Sequence, residues 1–131
     1  MGMCLLSDCQ KEVVYPTFNA PQWEVVDNPE YAVTMTVIAE IPDHIAKVAQ
    51  EGDELAAFVG DECRGMAKKV NQQYFIMIHG VENETPNFHF RYYSAATRNM
   101  YRTGDTYQFK ADEMLGTVDN PEKLLLEIVK E

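Results

Sequence analysis

The segment Asp53–Ala67, DELAAFVGDECRGMA, limits the folding choices of this chain more than any other. An apolar run, Leu55–Val59, and a stretch that pairs back onto it, Cys63–Val70, are separated by the turn around Gly60 and Asp61. A two-residue loop with glycine first makes a turn whose twist matches its flanking strands, so the segment predicts an antiparallel hairpin. Leu55–Val59 is apolar on both faces, as a central strand is. Gly65 predicts a bulge or a point of close backbone approach, since glycine has no side chain to pack.

The remaining strands follow from alternation. In Tyr31–Ile41, the residues Tyr31, Val33, Met35, Val37, Ala39 and Ile41 share one face, with Thr34, Thr36 and Glu40 on the other beside Ala32 and Ile38. In Asn87–Ser94, Phe88, Phe90 and Tyr92 face inward, and His89, Arg91 and Tyr93 face outward. Trp23–Asp27, Gln72–Val81, Thr97–Arg102, Tyr107–Ala111 and Leu124–Val129 read as further strands. Between Asp43 and Gly52, the residues Ile45, Val48 and Ala49 fit a helical face, so a short helix near 43–51 or a polar loop fills that gap. Asp112–Pro121, with Gly116 and Asn120-Pro121, reads as a turn-rich loop. About eight short strands with turns every eight to twelve residues predict an all-β fold, an antiparallel β-sandwich of immunoglobulin-like shape.

At 131 residues the chain has room for one such domain, assigned to residues 23–131. The formal net charge of −10 argues against nucleic acid and anionic lipid surfaces as partners, because like charges repel. Residues 1–62 carry twelve Asp and Glu against Lys11 and Lys47, whereas residues 63–131 carry nine of each sign. The acidic part is either a solvated face that keeps the domain soluble or an edge that meets a basic partner or calcium.

Residues 1–22 differ from the rest. A short apolar patch ends in Ser7-Asp8-Cys9, followed by Gln10-Lys11-Glu12. This resembles the end of a bacterial lipoprotein signal peptide, which implies Cys9 as the lipidated residue, removal of what precedes it, and Val13 to Gln22 as a disordered tether. The other reading is an ordinary unstructured start. The only membrane contact expected is through that anchor, since no run of eighteen apolar residues exists.

Several motifs together resemble a β-sandwich module found in secreted and lipid-anchored surface proteins of Bacteroidetes-type bacteria. They are Trp23, Met35-Thr36-Val37, the hairpin Asp53–Ala67, Tyr74-Phe75-Ile76 and the segment Ala111–Pro121. The resemblance covers roughly residues 23–129. It implies a lipid-anchored place in the cell envelope or outside the cell, and it supplies no catalytic residues.

Candidate sites remain open on the residues themselves. Cys63 with His79 or His89 would make a thiol and a base, but no third orienting group accompanies them, and a cysteine in an apolar strand is ordinarily packing. His44, His79 and His89 lack zinc-ligand spacing. Asp61 and Glu62 in the hairpin, and Asp112 and Asp119 in the last loop, are candidate calcium ligands or solvated turn residues. Trp23, His89, Arg91, Tyr93 and Tyr101 form a candidate ligand face, because sugars stack on exposed rings rimmed by polar groups. The expectation is therefore a protein that is not an enzyme and needs no cofactor unless calcium binds. It would be a cell-surface accessory or binding module for a glycan or a surface protein, the alternative being a spacer or assembly subunit that joins through a sheet edge.

Overall fold

The computed structural model describes residues 14–130. The longer strands are β1 (Val33–Glu40), then after a single helical turn α1 (Asp43–Ala46), β2 (Glu54–Val59), β3 (Glu62–Val70), β4 (Gln73–Gly80) and β5 (Asn87–Tyr93). Shorter pieces complete the chain: β6 (Met100–Thr103), β7 (Tyr107–Gln108), β8 (Met114–Leu115), β9 (Glu122–Lys123) and β10 (Leu126–Ile128). The order across the sheet is β10-β6-β5-β2-β3-β4-β1-β8, with β7 paired to β5 and β9 to β1. No helix among the described residues is long and apolar enough to cross a membrane.

The hairpin turns at Gly60, whose φ is 60°, while Asp61 keeps a negative φ. That is the pattern expected of a glycine-first two-residue loop. The strand β3 then does two jobs. Its first part pairs with β2 up to Ala56–Met66, and its second part pairs with β4 from Ala67–Ile76 onward. A register shift between Ala57 and Phe58 leaves Arg64 as the extra residue of a bulge. Bulges bend a strand and increase its twist, which lets one strand pass from one layer to the next. Gly65 sits at that corner. A Cβ built on it would lie 2.5 Å from the Met77 carbonyl oxygen, so the close approach needs glycine.

Turned at β3, the sheet curls so that its two halves face each other across one core. Val37, Ala39, Ile76 and Ile78 come from one half, and Leu55, Ala57, Phe88, Phe90 and Tyr92 from the other. Tyr74 and Tyr92 meet edge to face across it, with ring centroids 6.3 Å apart. The inward residues expected for β1 are buried from Met35 onward and those for β5 fully so at Phe88, Phe90 and Tyr92, while Ile38, His89 and Tyr93 on the opposite faces are buried as well.

Two expectations need correction. The sheet is mixed rather than purely antiparallel, since β8 and β9 both run parallel to β1. The loop Asp112–Pro121 thus contains ladder contacts: some 75 residues separate it from β1, ample chain for a parallel return. Residues 23–27 form no strand. They belong to an extended segment, here called the strap (residues 16–27), that lies on the outside of β2, β3 and β5. The tether expected to end at Gln22 is therefore bound to the domain from Pro16 onward. Cys9, the expected lipidation site, lies outside the described residues.

Candidate functional site

Strand pairing sets out the outer face of β2, β3 and β5 in rows. Cys63, Phe58 and His89 form one row; Met66, Ala56, Arg91 and Arg102 form the next; Glu54, Tyr93 and Met100 form the third. Phe58 is the hub. The imidazole of His89 stacks on it at 5.9 Å, the Trp23 ring meets it edge-on at 5.2 Å, and the Arg91 guanidinium lies 4.1 Å from its centroid. Ala56, Phe58 and Cys63 form a second apolar cluster, covered by Trp23, Val25 and Met66.

The strap is held mostly by its backbone. Gln22 takes a φ of 55°, and the N–H groups of Gln22 and Trp23 both donate to the Glu54 carboxylate, at 3.1 and 2.9 Å. Successive N–H groups turned to one anion make a backbone nest. The Tyr93 hydroxyl and Arg98 Nε donate to the Phe18 carbonyl at 2.8 and 3.2 Å, and Asn99 Nδ2 donates to the Pro16 carbonyl at 3.3 Å. Val26 N–H donates to the Cys63 carbonyl at 3.0 Å.

Between the strap and the hairpin runs an open groove. Trp23, Val26, Phe58 and Cys63 supply its apolar lining, and Gln22, Glu24, Asp61, Glu62 and Arg64 its polar border. The charged groups are braced against each other. Arg91 donates to Asp61 and to the Gly60 carbonyl, at 2.9 and 3.0 Å. Glu62 accepts from Tyr31 and from Arg64 Nε, and the Arg64 guanidinium lies over the Tyr31 ring. The Tyr31 and Arg64 hydrogen bonds hold the Glu62 carboxyl below its usual range, and the same carboxylate pushes the Tyr31 hydroxyl up.

The chemistry of Cys63 and His89 is that of packing. Phe58 stands between them, which at ordinary strand spacing puts them about 9–10 Å apart. Burial raises the Cys63 pKa, away from a reactive thiolate. Burial, and then the Arg91 charge, lower His89 to about 4. The neutral imidazole is what the geometry requires, because its Nε2 accepts a hydrogen bond from Arg91 Nε at 3.0 Å.

Trp23, His89, Arg91 and Tyr93 thus come together on one face, as expected, but not as an open platform of rings. Tyr93 is 3% and His89 7% exposed: the strap carbonyl of Phe18 meets the Tyr93 hydroxyl, and Phe58 and Arg91 lie against the imidazole. Tyr101 faces the other way. It pairs with Tyr92 and meets that ring edge to face at 6.4 Å on the core side. The calcium candidates are dispersed. Asp61 and Glu62 are engaged as described, while Asp112 and Asp119 occupy separate turns around β8. Among the described residues, no three His, Cys, Asp or Glu side chains converge as a metal site.

Sequence reasoning missed Glu54, Arg98 and Asn99, which hold the strap. The available signal was Pro16, Phe18, Pro21 and Trp23: a short extended segment too rich in rings for a solvated tether. Comparison of the chain with family models, curated proteins and solved structures returned no match.

Proposed function

We propose that the protein is a non-catalytic binding module of the cell surface, with its ligand seated in the groove between the strap and the β2–β3 hairpin. The observation that carries this reading is Trp23. Its half-buried ring sits on Phe58 beside a border of amide, carboxylate and guanidinium groups. An apolar ring takes the C–H face of a sugar or an aliphatic side chain, and fixed planar polar groups bond hydroxyls or a peptide backbone. The Arg64–Glu62 ion pair, its guanidinium side chain 10% exposed and its carboxylate also bonded by Tyr31, holds that part of the border in place before a ligand arrives. The resting chemistry of Cys63 and His89 supports a role without catalysis.

The rest of the proposal stands on the sequence motifs: kinship with immunoglobulin-like sandwich modules of Bacteroidetes-type surface proteins, and a lipid anchor on Cys9 in the cell envelope. Assembly through a sheet edge has less in its favour. The terminal strands β10 and β8 span three and two residues, which gives an incoming strand little to pair with.

A glycan array probed with the folded protein and with Trp23→Ala tests the groove. The expected result is a saturable glycan signal reduced at least roughly tenfold in the variant, the scale of one lost aromatic contact. A blank array removes the glycan and leaves a surface-protein segment as the ligand. Binding undiminished by Trp23→Ala would overturn the groove assignment. Mass spectrometry of the native protein should find a diacylglycerol-bearing Cys9; an unmodified Met1 terminus would remove the anchor.

A further inference from the structure

We propose that the outer face of β2, β3 and β5 is a docking site for an extended peptide, occupied in cis by residues 16–26 and open to the same segment of a second copy. This goes beyond the groove reading and does not depend on it, since a peptide can dock on this face whether or not the groove takes a ligand.

Three observations lead there. First, the two sides of the contact separate cleanly along the chain. The groups that grip belong to the sheet and its β5–β6 loop: Glu54, Cys63, Tyr93, Arg98 and Asn99. The groups gripped belong to the strap, from Pro16 to Val26. Second, nearly all the polar contacts go to strap backbone atoms, and one large side chain, Trp23, enters the apolar cluster at Phe58. Backbone bonds that give affinity and one anchored side chain that gives register are how sheet surfaces recognise extended peptides. The strap nevertheless joins no ladder, so its position does not depend on continuity with a strand. Third, the strap meets the body through one turn, in which Asn28 accepts from the N–H groups of Glu30 and Tyr31 at 2.9 Å each. A change of backbone angles there is sufficient to redirect it, the ordinary requirement for exchanging an identical element between copies.

Cis occupancy dominates in dilute solution. A short connection holds the strap at an effective concentration of roughly millimolar, so a second copy competes only when crowded or when the cis contact is weakened. Weakening the cis contact makes the site measurable. Trp23 is the only tryptophan in the chain, so full-length Trp23→Ala has no indole fluorescence of its own. A synthetic peptide of residues 14–27 then carries the sole reporter. Titrating the variant into the peptide should shift the peptide's emission to the blue and reach saturation, as the indole enters the cluster at Phe58. Adding Glu54→Ala to the variant should weaken binding about tenfold, a loss of roughly 1.4 kcal/mol for the two strap N–H groups left without their acceptor.

Full-length Trp23→Leu serves as the second acceptor: it keeps an apolar cover over Phe58, and so the fold, while it weakens the cis contact and carries no indole. No shift up to millimolar peptide with a folded acceptor would overturn the proposal. So would an equal shift from a peptide of scrambled order, or a shift insensitive to Glu54→Ala.

Discussion

The curled sheet has two outer faces, and they are finished differently. On β2, β3 and β5 the outward residues include Ala56, Phe58 and Cys63, and the strap covers them. On β4, β1 and β8 the outward row is Met77, Thr36 and Met114, with Met77 53% and Met114 60% exposed. The difference begins in the strands. β2 is apolar on both sides and needs two covers, one from the core and one from elsewhere. β1 sets Thr34 and Thr36 on its outer side, where Ile38 alone is apolar and buried, so most of that side needs no second cover. An apolar strand whose second face has no partner in the sheet layers points to a further segment of chain that must come and lie on it.

Substitutions that act on one face and not on the other sharpen this contrast. The largest effect is expected from Phe58→Ala, which removes the ring beneath Trp23, His89 and Arg91. A loss of about 3–5 kcal/mol in urea unfolding, with faster proteolysis of the strap, is the expected result. A loss below about 1 kcal/mol would mean that the covered face is not a second core. Gly65→Ala acts where the two faces meet. Its new methyl group falls 2.5 Å from the Met77 carbonyl, so β3 or β4 must shift. A loss of about 1–3 kcal/mol is expected from the same measurement, and a neutral result would contradict the close crossing at the corner.

The pH dependence of stability belongs to the covered face. His89 is held near 4 in the folded protein, below the ordinary value of 6.5 that it recovers on unfolding. Between those values the unfolded chain binds the extra proton, so stability is full above about 6.5 and falls as the pH drops toward 4. In His89→Gln the thermal midpoint should change less across that window than in the parent protein. Identical slopes would remove His89 as the source. Asp61, Arg91 and Arg102 also act on this imidazole, so the comparison is made at constant ionic strength. The smallest effect is expected on the bare face. Met77→Thr should change stability by no more than about 0.5 kcal/mol, because half of that side chain already meets solvent. A cost above about 1 kcal/mol would show that this face too is covered.

The parts of the fold legible in sequence are those set by neighbours along the chain. Gly60 announces its turn, and Phe88, Phe90 and Tyr92 announce their buried side. The segment after Pro42, left open between a short helix and a polar loop, is a single helical turn at Asp43–Ala46. The site was partly legible: Trp23, His89, Arg91 and Tyr93 share a face, as alternation placed them. Tyr101 was assigned to the wrong side because Ala95–Thr97 forms a turn, so the strand starts only at Met100. There, pairing with β5 sets Tyr101 opposite the inward Tyr92. The parallel return of β8 and β9 gave no local signal, since two-residue strands are too short to show a period.

The sequence by itself determined the β class, the hairpin, the inward faces and the apolar character of Leu55–Val59 on both sides. Each follows from the two-residue period of a strand or from glycine's freedom at a turn, and both are local. Tertiary structure alone decided that residues 16–27 supply the cover and that Glu54, Arg98 and Asn99 become receptors for a backbone. Those contacts join residues 31 to 83 positions apart, and no local pattern encodes a pairing of that length.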